Sequence, residues 1–255
     1  MITVISPAKR MNFSEPPGTD KHSQPEFVNH SKLIMDRLKK LSSRQIKKLM
    51  NLNDNLAEMN YDRYQNWQPE FNMDVAKQAV LAFKGDVFLG IDTGSFSEED
   101  FEFAQNNLRI LSGLHGILKP LDLIRPYRLE MGTALKIGRP NNLQEFWKPV
   151  ITPLLKQTPG FQKDKTIVNL ASIEYFSALI PKSIDARVIT PTFKEFRNGT
   201  YKPIHIFLKK ARGYMVRYII KNKITDPEGL KLFDEEGYSY NDQLSGADKW
   251  IFTRG

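Results

Sequence analysis

Charged side chains that could bind a phosphorylated molecule stand next to small residues at two places early in the chain. The tetrapeptide SPAK at residues 6–9 ends in Lys9, and KGD at residues 84–86 contains Lys84 and Asp86. A lysine offers a point charge to a phosphate, glycine lets the backbone approach a ligand, and an aspartate can act as a base or orient the lysine. These three charged residues are candidate site residues, although an ordinary surface lysine explains the first segment better and a helix-to-strand turn explains the second about as well.

Two further segments combine basic or hydroxyl side chains with carboxylates. In the sequence PYRLEMG, the guanidinium of Arg128 can bind a phosphate or carboxylate through two parallel hydrogen bonds. Glu130 in the same segment either holds Arg128 in place or serves as a general base. In the sequence NLASIEY, Glu174 follows a predicted strand and falls in the first turn of a helix that Ser172 caps. Glu130 and Glu174 therefore join Asp86 as candidates for a catalytic acid or base.

A long stretch without acidic residues follows later in the chain. No Asp or Glu occurs between Glu195 and Asp226, whereas Lys209, Lys210 and Arg212 cluster in the sequence KKARG. Two tyrosines one helical turn apart lie beside further basic residues, so this strip could follow a phosphate backbone with a ring available for stacking. A solvated basic helix face above core aromatics is the alternative. The absence of acids favours an anion site.

Two glycines three residues apart suggest a second way of binding phosphate. Gly113 and Gly116 are flanked by leucines in the sequence LSGLHGILKPLD at residues 111–122. A tight turn between two helices would leave main-chain N–H groups of the second helix free to bind a nucleic-acid phosphate. We therefore predict a helix-hairpin-helix at about residues 98–135, with both glycines as phosphate-binding residues. A corner between two helices that only packs is the alternative.

Composition excludes several classes of site. The 255 residues include no cysteine, which excludes thiol nucleophiles, disulfides and Cys-ligated metals. The four histidines lie far apart without metal-ligand spacing, and we predict neither a metal nor a cofactor. The net charge of +8 favours anionic partners. No apolar run could cross a bilayer and the first residues lack a signal-peptide pattern, which predicts a cytoplasmic protein without membrane contact. The oligomeric state stays open.

Predicted secondary structure places these residues in a mixed α/β fold. Apolar or β-branched runs predict strands near the first residues and at 87–89, 166–170, 187–193, 201–208 and 250–253. Helical patterns occur at 27–41, 44–51, 56–64, 74–83, 98–111, 143–155 and 212–222. No linker separates two halves. We therefore predict a single domain over residues 1–255, with a mixed sheet, surrounding helices and the helix-hairpin-helix.

Seven motifs in a fixed order resemble the YaaA peroxide-stress protein family. They are SPAK at 6–9, FKGDVF at 83–88, LSGLHG at 111–116, PLD at 120–122, PYRLEMG at 126–132, NLAS at 169–172 and KKARG at 209–213. Their order and spacing agree with the family across nearly the whole chain. His115 and Phe88 stand where the family usually has tyrosine.

The resemblance implies a cytosolic bacterial protein that helps cells survive hydrogen peroxide and is associated with lower free intracellular iron. It also implies a positively charged cleft and a helix-hairpin-helix suited to double-stranded or distorted DNA. The cleft residues that it implies are Lys9, Lys84, Arg128, Lys209, Lys210 and Arg212. Without cysteine or a histidine cluster, we do not expect direct peroxide reduction or strong iron chelation, so protection would act through DNA or a metabolite.

Two functions are consistent with these residues. The first is DNA binding through the hairpin amides and the basic strip, largely without sequence preference. The second is an enzyme that acts on a phosphorylated or nucleotide-like small molecule. Binding of a DNA phosphate backbone does not need Asp86, Asn169 and Glu174 near the basic residues. A catalytic pocket, in contrast, needs acids, amides and bases together. A deep, closed pocket would favour the enzyme, and a long, open groove would favour DNA.

Overall fold

The computed structural model describes residues 1–16 and 18–255, and a mixed sheet runs through its centre. The strands are β1 (Ile2–Ile5), β2 (Arg10–Met11), β3 (Lys77–Gln78), β4 (Phe83–Lys84), β5 (Leu108–Ser112), β6 (Gly116–Leu118), β7 (Leu123–Ile124), β8 (Thr166–Leu170), β9 (Arg187–Arg197), β10 (Thr200–Lys202), β11 (Ser239–Tyr240) and β12 (Lys249–Arg254). The helices are α1 (Val28–Leu38), α2 (Ser43–Met50), α3 (Asp54–Gln65), α4 (Ala79–Ala82), α5 (Asp86–Ile91), α6 (Glu98–Asn107), α7 (Leu143–Leu155), α8 (Pro159–Lys163), α9 (Ile173–Phe176) and α10 (His205–Lys221).

Parallel strands form the middle of the sheet. β1 pairs with β5 on one side and β8 on the other, and β9 and β12 continue the parallel order beyond β8. Antiparallel strands extend it, with β6 beside β5, β11 beside β12 and β10 beside β9. All residues of β1 and β8 are buried, as the continuous apolar runs of central parallel strands require. The predicted mixed α/β sheet is confirmed.

Polar residues at the predicted helix starts form capping bonds. Ser42 Oγ accepts a hydrogen bond from the N–H of Gln45 before α2, and Ser97 Oγ accepts one from the N–H of Asp100 before α6. In both cases the third helical side chain bonds back to the cap N–H. Asn53 caps α3 in a similar way. These bonds satisfy N–H groups that have no acceptor inside the helix, and they determine where the three helices begin.

Large aromatic side chains from distant segments fill the core. Trp147, Trp250, Tyr64, Tyr238 and Phe193 are all fully buried. Each large apolar side chain of this kind stabilises the fold by about 1.5–3 kcal/mol relative to its exposed state. The predicted domain limits at residues 1 and 255 stay a prediction. Across the described part of the chain, no helix combines the length and the apolar character needed to span a bilayer.

The predicted helix-hairpin-helix is wrong. α6 ends at Asn107, and the following residues form β5, which turns and returns as β6. The residues Leu108–Ser112 are all buried, and β5 lies between β1 and β6, so its backbone groups complete the sheet. Gly116 has a φ of 69°, a value that glycine adopts without steric cost. The glycine pair belongs to a β-hairpin, and the pair by itself does not distinguish this turn from one between helices.

Three other segments differ from the sequence prediction. Residues 87–89, predicted as a strand, lie in α5, which packs against α10. α10 begins at His205, inside the strand predicted at 201–208. The strand in this part of the chain is β10 (Thr200–Lys202), which pairs with β9. The helix predicted at 74–83 is reduced to α4, because β3 pairs with β7 before it begins. In each case a tertiary partner decides between local preferences of similar strength.

Candidate functional site

The carboxyl ends of β1 and β8 meet at one edge of the central sheet. Ile5 is paired with Leu170, so the segments that follow the two strands begin side by side. Ser6 Oγ accepts a hydrogen bond from the N–H of Ser172 at 2.9 Å, and the two serine Oγ atoms are 3.3 Å apart. Ser172 stands at the start of α9, but its side chain makes no capping bond. Ligand sites of open α/β sheets lie outside such strand ends.

A pocket of about 380 Å³ opens at this edge. Its charged lining residues are Lys9, Arg10, Lys84, Asp86, Glu174, Lys209 and Arg212. All of these except Arg10 are residues that the sequence analysis singled out, so the structure brings most of the predicted site together. The volume lies in the range of about 300–1,000 Å³ that is usual for small-molecule sites.

Two helices that meet at glycines form one wall of the pocket. α5 begins at Asp86, and α10 carries the basic residues of KKARG. A Cβ atom on Gly213 would lie 2.0 Å from the carbonyl oxygen of Val87, and one on Gly90 would lie 2.4 Å from a carbonyl oxygen of α10. No larger residue fits at either position. The close backbone contact therefore fixes the distance between the acidic start of α5 and the basic face of α10.

Arg212 places a partly buried positive charge in the pocket. Among the described residues, its guanidinium has no carboxylate partner, and its Nε–H is buried without an acceptor. Burial lowers the pKa of Arg212, with no neighbouring carboxylate to raise it. A buried, unpaired charge is costly, and a site that carries one is a candidate for binding the opposite charge.

Asp86 and Glu174 bring negative charge to the same pocket. Glu174 Oε1 accepts a hydrogen bond from the N–H of Gly132 at 2.9 Å. Within the described residues, neither carboxylate has a lysine or arginine nitrogen within 4.0 Å. Lys209 and Arg212 likewise have no carboxylate within that distance. Acids and bases thus line one pocket without neutralising each other, which is the arrangement of a site that binds or converts a polar ligand.

A narrow chamber of about 10 Å³ adjoins the pocket and shares the walls formed by residues 7–9 and Tyr175. Glu130 lies in this chamber, with Oε2 2.8 Å from Lys9 Nζ and Oε1 accepting a hydrogen bond from Arg128 Nη2 at 3.1 Å. Arg128 Nε is buried, and no described residue accepts its hydrogen. The structure therefore joins the PYRLEMG motif to the same site.

Lys84 and Lys210 hold peripheral positions. Lys84 lines the exposed rim of the pocket, with Nζ 3.9 Å from a carboxylate oxygen of Glu15. Such an exposed ion pair contributes little to stability, so Lys84 can turn to a ligand at small cost. Lys210 does not line the pocket, and its Nζ lies 5.6 Å from the ring centroid of Tyr214.

Gly113 and Gly116 lie outside the pocket, in the buried β5–β6 hairpin. Trp147 Nε1 donates a hydrogen bond to the carbonyl oxygen of Gly113 at 2.9 Å, and a Cβ on Gly116 would lie 2.5 Å from the Trp147 ring. His115, between the glycines, is fully buried, and burial lowers its pKa to about 3. The structure does not bring the two glycines together with the basic candidates.

Asp122 supports the hairpin from inside. Its Oδ1 accepts a hydrogen bond from Ser23 Oγ at 2.6 Å, and its Oδ2 accepts one from the N–H of Lys119 at 2.8 Å. Burial raises the pKa of this carboxyl to about 6. Asp122 therefore belongs to the fold and does not face the pocket.

Sequence reasoning missed Ser6, Arg10 and Tyr175 as pocket residues. Tyr175 lines both the pocket and the chamber, and burial raises its pKa. All three lie within five residues of the end of β1 or β8. That position is the signal that could have found them, because the two strands were already predicted. Over residues 1–16 and 18–255, no group of three or more histidine or carboxylate side chains is arranged to hold a metal ion.

Comparison with known proteins decides the family. The family described as Peroxide stress protein YaaA matches residues 1–244. The chain belongs to this family. A UPF0246 protein of Colwellia psychrerythraea (strain 34H) is 51% identical over 254 residues, which cover 100% of this chain and 99% of that protein. A UPF0246 protein of Teredinibacter turnerae is 49% identical over 254 residues with the same coverage. The resemblance seen in the sequence is confirmed, and membership supports a role in peroxide stress.

Proposed function

We propose that the pocket binds a small phosphorylated or nucleotide-like molecule and catalyses a reaction on it. The observation behind this proposal is the guanidinium of Arg212, which lines the pocket without a carboxylate partner among the described residues. A ligand phosphate or carboxylate can accept two parallel hydrogen bonds from a guanidinium and would neutralise its charge. Lys209, which is exposed on the same helix and lines the same pocket, adds a second positive charge.

The shape of the site supports a small molecule. The pocket is bounded by the segments after β1 and β8 and by α5 and α10, and its volume of about 380 Å³ suits one metabolite. DNA binding through a helix-hairpin-helix loses its structural basis, because that segment is a buried β-hairpin. The pocket is partly open to solvent, and its limited volume supports a small ligand more than it supports a DNA duplex.

The unpaired acids supply the chemistry in this proposal. Arg212 and Lys209 hold the anionic group, and Asp86 or Glu174 accepts a proton from the ligand. The bond from the Gly132 N–H to Glu174 Oε1 fixes that carboxylate and leaves its other oxygen for proton transfer. Protection against peroxide would then act through the metabolite that this reaction makes or removes. The lower free iron that the resemblance implies would be an effect of the same metabolite.

The first test measures ligand binding through thermal unfolding. Wild type and Arg212→Gln are heated with ribonucleotides, sugar phosphates and inorganic phosphate. A ligand at one hundred times its Kd stabilises a protein by about 2.7 kcal/mol, so at least one probe should raise the midpoint of the wild type and not that of Arg212→Gln. Arg44→Gln removes the same charge from an exposed position on α2 and should behave as wild type. No shift with any probe, or equal shifts in the two variants, would contradict the proposal.

The second test separates catalysis from binding. With a ligand identified by the first test, Asp86→Asn and Glu174→Gln should retain its affinity within a few-fold. The variant that lacks the base should lose roughly 10²–10⁴ of the turnover, the usual contribution of a general acid or base. In cells that lack the wild-type protein, the same variant should fail to restore survival of hydrogen peroxide. If both variants keep full turnover and survival, neither carboxylate is the base.

DNA binding is the second candidate because positive charge surrounds the mouth of the pocket. The exposed cations there are Lys9, Arg10, Lys84 and Lys209. Fluorescence anisotropy with labelled duplex and bulged DNA should then show affinity that falls by about 0.9 log unit per log unit of salt for each phosphate neutralised. The variant Lys209→Ala/Lys210→Ala/Arg212→Ala should lose this binding. Binding that ignores salt, or that the variant retains, would exclude this candidate.

A further inference from the structure

We infer that Lys9 and Arg128 form a second anion subsite, that Glu130 fills it as an internal competitor, and that the ligand therefore carries two anionic groups. This inference rests on the proposed function of the pocket, because the subsite adjoins that pocket. The chamber that holds Glu130 shares residues 7–9 and Tyr175 with the pocket that holds Arg212.

Glu130 takes the place that an anionic group of a ligand would take. Its two oxygens are divided between two cations, one 2.8 Å from Lys9 Nζ and the other 3.1 Å from Arg128 Nη2. A carboxylate or phosphate that bridges a lysine and an arginine is a common form of anion recognition. The carboxylate of Glu130 thus occupies a site between Lys9 and Arg128 that fits one anionic group.

The internal carboxylate satisfies Arg128 only in part. Glu130 accepts one hydrogen bond from Nη2, whereas the buried Nε–H of Arg128 has no acceptor among the described residues. A phosphate offers three oxygens, so it can accept from Nε and Nη2 in parallel and still reach Lys9. An external anion in this chamber would therefore make more bonds than Glu130 does, and its bonds would satisfy a buried donor whose isolation is costly.

Access to the chamber runs past Lys9. The Lys9 side chain is 63% exposed, whereas those of Glu130 and Arg128 are 24% and 17% exposed. Lys9 lines both the pocket and the chamber, so one lysine can contact two anionic groups of the same molecule. With Glu130 in place, the chamber of about 10 Å³ has room for roughly one water, and a second anionic group enters only when Glu130 turns away.

Two double variants with equal net charge test the competitor role. Glu130→Gln/Arg212→Gln frees the second subsite and removes the first, whereas Glu58→Gln/Arg212→Gln makes the same charge change at an exposed position of α3. Thermal unfolding is followed with inorganic phosphate at constant ionic strength. The first protein should bind phosphate at least roughly tenfold tighter than the second, because an external anion no longer competes with Glu130. Equal phosphate responses of the two proteins would overturn the inference.

A surface variant decides the question if Glu130→Gln does not fold. Lys9→Gln changes a mostly exposed side chain, and binding is compared for adenosine 5′-monophosphate and adenosine 3′,5′-bisphosphate. The wild type should prefer the bisphosphate, and Lys9→Gln should reduce that preference roughly tenfold, because the bisphosphate loses more contacts with Lys9 than the monophosphate does. An unchanged preference would contradict a second subsite. Failure of the proposed function has a different signature, since wild type and Arg212→Gln would then respond alike to phosphate.

Discussion

The pocket at the ends of β1 and β8 and the β5–β6 hairpin present opposite uses of the same residue types. Both combine glycine with polar side chains. In the hairpin, Ser112 Oγ lies 2.6 Å from Tyr127 Oη and accepts the N–H of His115 at 2.9 Å, so these groups bond to each other inside the core, although His115 Nε2 has no partner among the described residues. In the pocket, Arg212 and Asp86 have no charged partner among the described residues.

This difference separates a structural motif from a functional one. Polar groups that a fold needs are bonded within the fold, because a buried polar group without a partner is costly. Polar groups that a ligand needs are left unpaired, or only partly satisfied, until it binds, and stability is given up for that purpose. The hairpin should therefore respond to mutation through stability, and the pocket should respond through binding.

The largest effect should come from acidifying the hairpin. Burial lowers the pKa of His115 from 6.5 to about 3, so the unfolded chain takes up a proton first as the pH falls. The free energy of unfolding should decrease between about pH 6.5 and pH 3, by up to about 5 kcal/mol from this residue alone. In His115→Phe, the part of this pH-dependent loss of stability that His115 causes should be absent. Urea unfolding of both proteins at pH 7, 5 and 4 measures it.

The other titrating groups serve as an internal control for that experiment. Asp122 acts in the opposite sense, because its raised pKa makes the folded state bind the proton first and its contribution to stability is lost as pH rises through about 6. Asp122 is present in wild type and in His115→Phe, so the difference between the two proteins isolates the histidine. Parallel pH profiles would mean that His115 is not held neutral by the core.

A smaller effect should come from filling space at the hairpin turn. Gly116 and Gly138 have φ values of 69° and 66°, so alanine carries a similar backbone cost at both. A Cβ on Gly116 would lie 2.5 Å from Trp147, whereas one on Gly138 would meet nothing within 4 Å. Gly116→Ala should therefore lose about 3 kcal/mol more than Gly138→Ala in urea unfolding. Similar losses would show that the hairpin yields to the added methyl group.

The smallest effect should have the opposite sign and should lie in the pocket. Arg212→Met keeps much of the side-chain volume and removes a partly buried charge that has no carboxylate partner among the described residues, so the free energy of unfolding should rise by about 1 kcal/mol. Arg217→Met on the same helix removes the ion pair with Glu235 and should lower it. Chemical denaturation of both variants gives the comparison. A clear loss of stability in Arg212→Met would place Arg212 in the fold and not in a ligand site.

Much of the fold could be predicted where a local signal is strong. The apolar runs of β1 and β8 and the helix starts near residues 44 and 98 were predicted, because burial and the capping of N–H groups act within a few residues. The hairpin was not recognised. Its glycine spacing fits a turn between helices as well as one between strands, and only the pairing of β5 with β1 decides between them.

The site was predicted in part for the same reason. Lys9, Lys84 and Arg212 were identified because charge is visible in a sequence, and the structure places all three around one pocket. What the sequence does not show is which charged side chains from distant segments form ion pairs. The pair of Arg128 and Glu130 was one of the alternatives, but that Lys9 joins it while Asp86 has no cationic partner among the described residues depends on distances across the fold.

The contact between Gly90 and Gly213 has a consequence for the rates of ligand exchange. Helices that touch backbone to backbone have no side chains between them that could repack, so α5 and α10 keep a fixed spacing. We therefore expect a ligand to enter and leave by rotation of rim side chains such as Lys9 and Lys84, on the picosecond-to-nanosecond scale of exposed rotamers. The slower microsecond-to-millisecond opening that limits turnover in enzymes with hinged domains would then be absent from the reaction cycle.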